Sequence, residues 1–496
     1  MPQPAIPAFG NMCMDPTGLE VIDKCMTVTG VIEESSADDD GDQHMLLKLD
    51  EGQDNLLKKK NIKKKTRDLV IEAICMNNIT NPKVGGACKG YINHVQLPKV
   101  GDHVKVSGSY VIDAHNGWAE IHPITKIEVL KYNLMRYLLL FIPIAIISEF
   151  IFHNQLLLFV TAALSLVALS ALLGEAIEVL SSFTSNKTGA LLNATLGNAA
   201  ELIFTIIALR AGQVALVKAS IIGAVLGNLL VLPGLGMLLG GLKNGRQYFN
   251  REAAGVNSTM MTLSVAGLIL PTIFELLHEA QNKQGYTLDI TDKSLNEYSL
   301  GIAGVLIVVY LLSLLHSFTA TPILQETPMG ENKEPVAKEA DEKKQWTLRK
   351  SLLIMAGSTL FLIYISDLLV GSIQHVTQNF HVSETFLGII LIPLLSDVAE
   401  HVVGIQMAYK NKMDLSMSIS LESATQIALF VAPVLVFISF LMGKEMNLFF
   451  SPFELVILGL SVYIINQVSE DGESNWLEGA QLIVVYIIAA IGFYLL

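Results

Sequence analysis

Charged residues are scarce in this sequence: Asp, Glu, Lys and Arg make up 16% of its 496 residues, whereas 51% are hydrophobic. The scarcity is uneven, because residues 1–133 are polar and mixed and residues 134–496 form almost continuous apolar blocks. An excess of basic charge is also lacking, since the formal net charge is −13. The composition predicts a polytopic membrane protein preceded by a soluble domain, and it gives no reason to expect nucleic acid as a partner.

Cysteine is rare and is confined to the polar part of the chain, at Cys13, Cys25, Cys75 and Cys88. The spacings match neither a zinc knuckle nor a redox pair, so we expect reduced thiols in a cytosolic domain. The first residues lack a basic stretch followed by an apolar core, which indicates no signal peptide. We interpret residues 1–25 as a flexible arm.

Residues 26–133 are expected to form a soluble β domain. Five β-branched runs are separated by Gly, Asp and Asn, which favours a small barrel, and an OB-like barrel is the first choice. The runs are MTVTGVI, HMLLKLD, DLVIEAICM, DHVKVSGSYVID and GWAEIHPITKIEVL. His115, Glu120 and His122 surround Trp118, a weak pattern that fits either a metal site or, more commonly, ordinary strand packing.

Hydropathy windows predict eleven spans in an all-α membrane domain. They cover residues 134–152, 156–180, 188–209, 215–241, 254–277, 298–319, 349–373, 383–408, 415–442, 453–467 and 477–496. We assign 134–152 as an extra first span, 153–320 as a first repeat and 349–496 as a second repeat. Residues 321–348, rich in Glu, Lys and Pro, are assigned as a charged cytoplasmic linker.

Loop charge predicts the orientation. Basic residues cluster before the first span and in every second loop after it, and this basic side is cytoplasmic by the positive-inside rule. The residues are Lys126, Lys131, Arg136, Lys187, Lys243, Arg246, Arg251, Lys333, Lys338, Lys343, Lys344, Arg349, Lys350, Lys410 and Lys412. We therefore expect a cytoplasmic N-terminus, a C-terminus on the opposite side and, in a bacterium, an inner-membrane location. The acidic loop NQVSEDGESNW is the one exception.

Two short motifs carry the chemistry. LLNATLGNAAELIF places Asn198 three residues before Glu201, and ILIPLLSDVAEHVVG places Asp397 three residues before Glu400. Residues three apart share one face of a helix, and both motifs lie in runs long enough to span a bilayer. Because an ionisable group at membrane depth costs about 2.5–3.5 kcal/mol, such a pair in each half predicts a functional cation site.

The second half of the membrane domain repeats the first. SALLGEAIEVL aligns with YISDLLVGSI, which places Glu175 opposite Asp367, and LGNAAELI aligns with LSDVAEHV. LGNLLVLP aligns loosely with TQIALFVAP, which places Asn228 near Gln426. Five spans per unit is an odd number, so the two repeats are inverted, an architecture suited to alternating access around a site near the midplane.

These motifs resemble one known family. LLNATLGNAAELIFTIIALRAG, VKASIIGAVLGNLLVLPG, FNREAAGVNSTMM, AEHVVGIQMAYKNKMDLSMSI and SATQIALFVAP are similar to the repeats of calcium/proton antiporters of the CAX branch of the cation/calcium exchanger superfamily, over residues 134–496. The resemblance implies Ca²⁺ carried against H⁺, with Glu201 and Glu400 binding either ion and Asn198 in support.

The chain departs from the family pattern in its second repeat. The usual GNAAEH is SDVAEH here, so Ser396 and Asp397 replace a glycine and an amide, and Glu422 precedes Ser423 where the family has glycine. Ca²⁺ takes about six to eight oxygen ligands. We expect the cation- and proton-binding oxygens from Glu201, Glu400, Asn198 and Asp397, and support from Asn228, Gln426, Ser423, Glu422 and His401.

Several alternatives stay open at this point. Glu422 either joins the site or pairs with a lysine, and His401 either shuttles protons or packs. Glu175, Glu178 and Asp367 lie near span ends and serve either ion access and gating or capping. The expected function is exchange of cytosolic Ca²⁺ for H⁺ without a cofactor or enzymatic activity. The alternatives are antiport of Na⁺, K⁺ or Mn²⁺, and a transport-deficient membrane sensor that uses the N-terminal domain.

Overall fold

The structure, a computed structural model, divides the chain into two compact units, Met1–Asn133 and Leu134–Leu496. It describes residues 19–39, 41–50, 52–77, 79–80, 95–113, 116–129, 137–283, 292–319, 346–444 and 446–495. The predicted linker lies almost wholly outside these ranges, as do His115, Cys13 and Cys88.

The first unit contains five strands that close into a barrel in the order β1-β2-β3-β5-β4. The strands are β1 Leu19–Ala37, β2 Gln43–Leu49, β3 Leu69–Ala73, β4 His103–Asp113 and β5 Ala119–Val129, and a short helix, α1, spans Lys59–Lys64. Strands β3 and β5 pair in parallel, and the other neighbours are antiparallel. β1 begins at Leu19, so part of the stretch predicted as a flexible arm belongs to the barrel.

Alternation along the strands builds the barrel core. Met45 and Leu47 of β2, Ile71 of β3 and Ile121 of β5 are fully buried in one apolar cluster. Successive residues of a strand point to opposite faces, so the residues between them lie on the outer face of the barrel.

The expectation of reduced thiols is wrong for two of the cysteines. Cys25 and Cys75 are both disulfide-bonded. Cysteine spacing alone does not identify a disulfide, because pairing depends on which strands and turns the fold brings together.

The second unit is mainly helical in its described residues. Its helices are α2 Phe141–Ile147, α3 Gln155–Ser182, α4 Asn186–Leu196, α5 Ala199–Arg210, α6 Val214–Leu226, α7 Leu232–Asn244, α8 Arg251–Lys283, α9 Asp292–Thr319, α10 Leu348–Phe380, α11 Glu384–Phe386, α12 Ile392–Ser396, α13 Val398–Tyr409, α14 Met413–Gln426, α15 Ala432–Leu441, α16 Pro452–Ser469 and α17 Trp476–Leu495. A two-stranded sheet joins β6 Gln247–Tyr248 to β7 Glu473–Ser474.

Within the described residues, eight helices are long and apolar enough to cross a membrane. A bent pair, Glu384–Ser396 and Val398–Tyr409, adds a ninth if it counts as one span, and Leu138–Phe152 is a shorter apolar helix. Large apolar side chains on the outside, such as Leu353 at 74% and Leu441 at 82% exposure, suit a surface that faces lipid.

Both halves of this unit are interrupted at corresponding places. A π-helical turn at Gly227–Val231 joins α6 to α7, and another at Ile427–Val431 joins α14 to α15. Such turns widen a helix locally and often mark functional sites. The halves also pack closely, because a Cβ added at Gly223 of α6 would collide with the backbone of Ile389. Small residues at a helix crossing permit this approach inside a membrane.

Candidate cation site

The two sequence motifs lie at breaks in two helices. Between α4 and α5 the backbone leaves the helical path, and Asn198 becomes the N-cap of α5. Between α12 and α13 the break is at Asp397, and the helices on its two sides are bent by 62°. The sequence spacing of three therefore runs from an N-cap to the first turn, where Glu201 and Glu400 lie. A helix N-terminus carries partial positive charge, which favours carboxylates at this position.

Neither N-cap side chain caps its own helix. Asn198 instead donates a hydrogen bond of 2.7 Å from Nδ2 to Oε1 of Gln426 in α14. Asp397 accepts one of 3.3 Å through Oδ2 from Nδ2 of Asn228, in the π-helical turn after α6. Each motif thus contacts the interrupted helix of the opposite half, and the two bonds form a crossed pair.

Three carboxylates gather between these two bonds. Glu201 and Asp397 lie within hydrogen-bonding reach of each other, and Glu400 lies close enough for its charge to act on both. Two carboxylates in such contact need a proton between them, because two negative charges repel each other strongly in a buried site. A proton shared between Glu201 and Asp397 would relieve this repulsion.

The cluster also contains buried oxygens that no group in the described structure satisfies. They are Oε2 of Glu201, Oε2 of Glu400 and Oδ1 of Asn228. Buried polar atoms are normally hydrogen-bonded, so unsatisfied ones need an explanation such as a bound ion. Carboxylate and amide oxygens are ligands that Ca²⁺ prefers.

The supporting residues lie around this centre. Ser423 is 6% exposed, and its hydroxyl lies beside the carboxylate of Glu400. His401 is 6% exposed, and its Nε2 has no hydrogen-bond partner among the described residues. The ring of His401 faces Gly227 and thus lies against the π-helical turn there.

The structure does not bring all predicted residues together. Glu422 is exposed because one residue along a helix rotates the side chain by about 100° from the buried Ser423. Glu178 and Asp367 are exposed, and Glu175 is half-buried. These four lie outside the hydrogen-bonded cluster described above.

Two serines of the cluster were not predicted as site residues. Ser396 donates a hydrogen bond of 2.6 Å to Oδ1 of Asp397, so the two departures from the family motif are bonded to each other. The hydroxyl of Ser420 donates to the backbone oxygen of Asn228. The signal for Ser420 was present, because Ser416, Ser420 and Ser423 share the buried side of α14.

Comparison with known proteins gives consistent matches. The profile of the family described as sodium/calcium exchanger protein matches residues 154–319 and 350–495. A Ca(2+)/H(+) antiporter of Aphanothece halophytica is 40% identical over 366 residues, which cover 72% of this chain and 95% of the relative. The Ca(2+)/H(+) antiporter ChaA of Bacillus subtilis is 35% identical over 357 residues, 72% of this chain and 97% of the relative.

A solved structure also matches this chain. The native YfkE structure has a TM-score of 0.61 and 34% sequence identity, and the match covers 73% of this chain and 100% of that chain.

Proposed function

Because the chain belongs to the sodium/calcium exchanger family, we propose that it carries Ca²⁺ across the membrane in exchange for H⁺. Relatives that it covers almost completely carry the name Ca(2+)/H(+) antiporter. The residues of the oxygen cluster lie in segments that these matches include.

One observation supports the proposal most strongly. Glu201 and Glu400, one from each half, each hold a buried carboxylate oxygen that no donor in the described structure satisfies. A dication between them would satisfy both oxygens and neutralise both charges. With the ion gone, the same carboxylates repel each other, and protonation relieves that repulsion.

Exchange follows from this competition. Ca²⁺ and protons need the same oxygens, so the site holds one cargo or the other. We infer eleven spans arranged as two inverted five-span repeats plus one extra span, with the site between the repeats. In such an architecture, rocking of one part against the other exposes the site to each side in turn.

Asp397 adds a further carboxylate to the site. We infer that it raises the number of protons returned per cation above two, because Glu201, Asp397 and Glu400 are all freed of protons when the dication binds. Ser396 and Asn228 each donate a hydrogen bond to Asp397, which holds its carboxylate beside Glu201.

A second candidate is exchange of another cation, such as Na⁺, K⁺ or Mn²⁺. The third carboxylate favours this candidate, because ligand charge influences which ion binds best. Competition between ⁴⁵Ca²⁺ and each of these ions separates the two candidates.

Two further inferences concern the arrangement of the chain. We infer an OB-like fold for the barrel from its strand order, β1-β2-β3-β5-β4, with a single parallel pair. From loop charge we infer a cytoplasmic N-terminus, a C-terminus on the opposite side and, in a bacterium, an inner-membrane location. The bonded cysteines Cys25 and Cys75 favour an oxidising compartment for the barrel instead, so this orientation needs a direct test.

Flux measurements test the transport proposal. Everted vesicles that contain the protein receive ⁴⁵Ca²⁺ in the external buffer. An imposed pH gradient makes the vesicle interior acidic. The parent is expected to accumulate Ca²⁺, and Glu201→Gln and Glu400→Gln are expected to lose uptake. Glu470→Gln is the control, since Glu470 is exposed at the end of α16. Undiminished uptake in either site variant contradicts the proposal.

A further inference from the structure

A second group of metal-ligating side chains lies on the barrel, in a row across its outer face. His44 of β2 pairs in register with Glu72 of β3. The parallel pairing of β3 with β5 places Ile71 beside Ile121, so Glu72 lies beside His122. Their neighbours Met45, Ile71 and Ile121 point into the core, so His44, Glu72 and His122 all point outwards.

The side chains in this row approach closely. Nδ1 of His122 is 2.7 Å from Oε2 of Glu72, and Nε2 of His44 is 3.8 Å from Oε1 of Glu72. Asp42, just before β2, joins them, and one donor atom each from Asp42, Glu72 and His122 lies within 4.8 Å of the others. The amide of Cys75 donates a hydrogen bond of 2.7 Å to Oδ1 of Asp42, which orients that carboxylate.

This spacing has the size of a metal coordination sphere. Zinc ligands lie about 2.0–2.2 Å from the ion in tetrahedral geometry, so their donor atoms are about 3.4 Å apart. The three donor atoms here lie within 4.8 Å of one another, so small side-chain rotations give that separation. We propose that Asp42, Glu72 and His122 bind a first-row transition-metal dication such as Zn²⁺, at a site separate from the membrane cluster. The ion would take the place of the proton shared by His122 and Glu72.

The donor chemistry selects this class of ion. Imidazole nitrogen with carboxylate oxygen suits Zn²⁺ and related transition metals, whereas Ca²⁺ takes oxygen alone. Glu120 is 3% exposed and lies on the same face of β5 as His122, so it adds a further carboxylate beside the site. Nε1 of Trp118 donates a hydrogen bond of 2.9 Å to Oε2 of Glu120, which holds that group in place.

One positive charge defines the edge of the site. Nζ of Lys65 lies 3.3 Å from Nε2 of His44 and 4.3 Å from the centre of the Trp118 ring. His44 is therefore occupied on its outer side and is a neighbour of the site rather than a ligand. The sequence pattern around Trp118 thus contributes His122 and Glu120, while Asp42 and Glu72 come from strands far away in the sequence.

The same barrel offers a matched control. Nε2 of His103 is 2.8 Å from Oδ1 of Asp50, a distance like that between His122 and Glu72. Among the described residues, no third imidazole, thiol or carboxylate completes a metal-sized group at that pair. His103→Asn therefore breaks an imidazole–carboxylate contact without touching the proposed site.

Equilibrium dialysis of the purified full-length protein against Zn²⁺ tests the proposal, with a large excess of Ca²⁺ to occupy the membrane cluster. The parent and His103→Asn are expected to bind one more equivalent of Zn²⁺ than Glu72→Gln and His122→Asn. If these two variants still bind that equivalent, their Kd for it is expected to be at least about tenfold higher than that of the parent. Size-exclusion profiles identify variants that remain folded. Equal Zn²⁺ binding by the parent, Glu72→Gln and His122→Asn overturns the proposal.

A measurement on the parent alone covers the case in which the variants do not fold. Mn²⁺ bound under the same conditions is expected to show modulation from an imidazole nitrogen in electron spin-echo spectra. Absence of nitrogen modulation in the parent, or its persistence in a folded His122→Asn protein, contradicts the assignment of His122 as a ligand. Ca²⁺ flux does not enter either readout, so failure here leaves the transport proposal unaffected.

Discussion

The side-chain amide of Asn198 donates a 2.7 Å hydrogen bond to Gln426, 228 residues further along the chain. Its counterpart joins Asn228 to Asp397 at 3.3 Å. Each bond connects a helix break in one half with the interrupted helix of the other half. The two halves are therefore coupled through the same residues that surround the carboxylates. A change in the position of these residues alters contacts in both halves.

This coupling predicts non-additive effects in a double-mutant cycle. Asn198→Ala and Gln426→Ala are each expected to weaken Ca²⁺ binding by about three- to tenfold, since one hydrogen bond contributes about 0.5–1.5 kcal/mol. The double variant is expected to bind no more weakly than the worse single variant, because both remove the same contact. The measurement is ⁴⁵Ca²⁺ binding to purified protein. Strictly additive losses would mean that the bond carries no coupling.

Asp397→Asn tests the count of protons. The amide keeps the shape of the side chain and removes one ionisable group beside Glu201. We expect the parent to move more than two protons per cation and the variant to move about one fewer. Charge moved per Ca²⁺ in proteoliposomes gives this number, with Glu470→Gln as the control. Two protons in both parent and variant would rule out a role for Asp397 in the count.

Proton competition predicts how Ca²⁺ binding depends on pH. Falling pH is expected to raise the apparent Kd for Ca²⁺, because protons occupy the oxygens that the ion needs. The slope of log Kd against pH measures the protons released on binding, and it is expected to be shallower in Asp397→Asn by about one proton. A Kd that does not change with pH would separate Ca²⁺ binding from proton binding.

The side of the membrane that holds the barrel can be determined directly. Loop charge predicts that an impermeant thiol reagent leaves a cysteine introduced at Lys48, an exposed residue of β2, unlabelled in intact cells. The same cysteine is expected to react after the cells are opened. Labelling in intact cells would place the barrel outside, in agreement with the disulfides of Cys25 and Cys75 and against the predicted orientation.

The match between sequence and structure differs from element to element. The five β-branched runs correspond to the five observed strands, because alternation and turn residues act within a few positions. The pairs Asn198–Glu201 and Asp397–Glu400 were each expected on one continuous helix, whereas the structure breaks the helix at Asn198 and at Asp397. Glu422 is a further difference. Its carboxylate has the chemistry expected of a site residue, but its side chain points to the exposed side of α14.

The sequence by itself determined that this is a membrane protein whose membrane domain follows a polar, strand-rich domain in the chain. It also determined that the two halves of the membrane domain carry matched acidic motifs. Hydropathy, charge and residue spacing are properties of contiguous segments, so they are readable without a fold. Only the tertiary structure decided that Asn198 turns away from its own helix to Gln426, that Asn228 binds Asp397, and that Asp42, Glu72 and His122 meet on the barrel. Those relationships depend on how segments distant in the sequence pack against each other, and no local pattern specifies that.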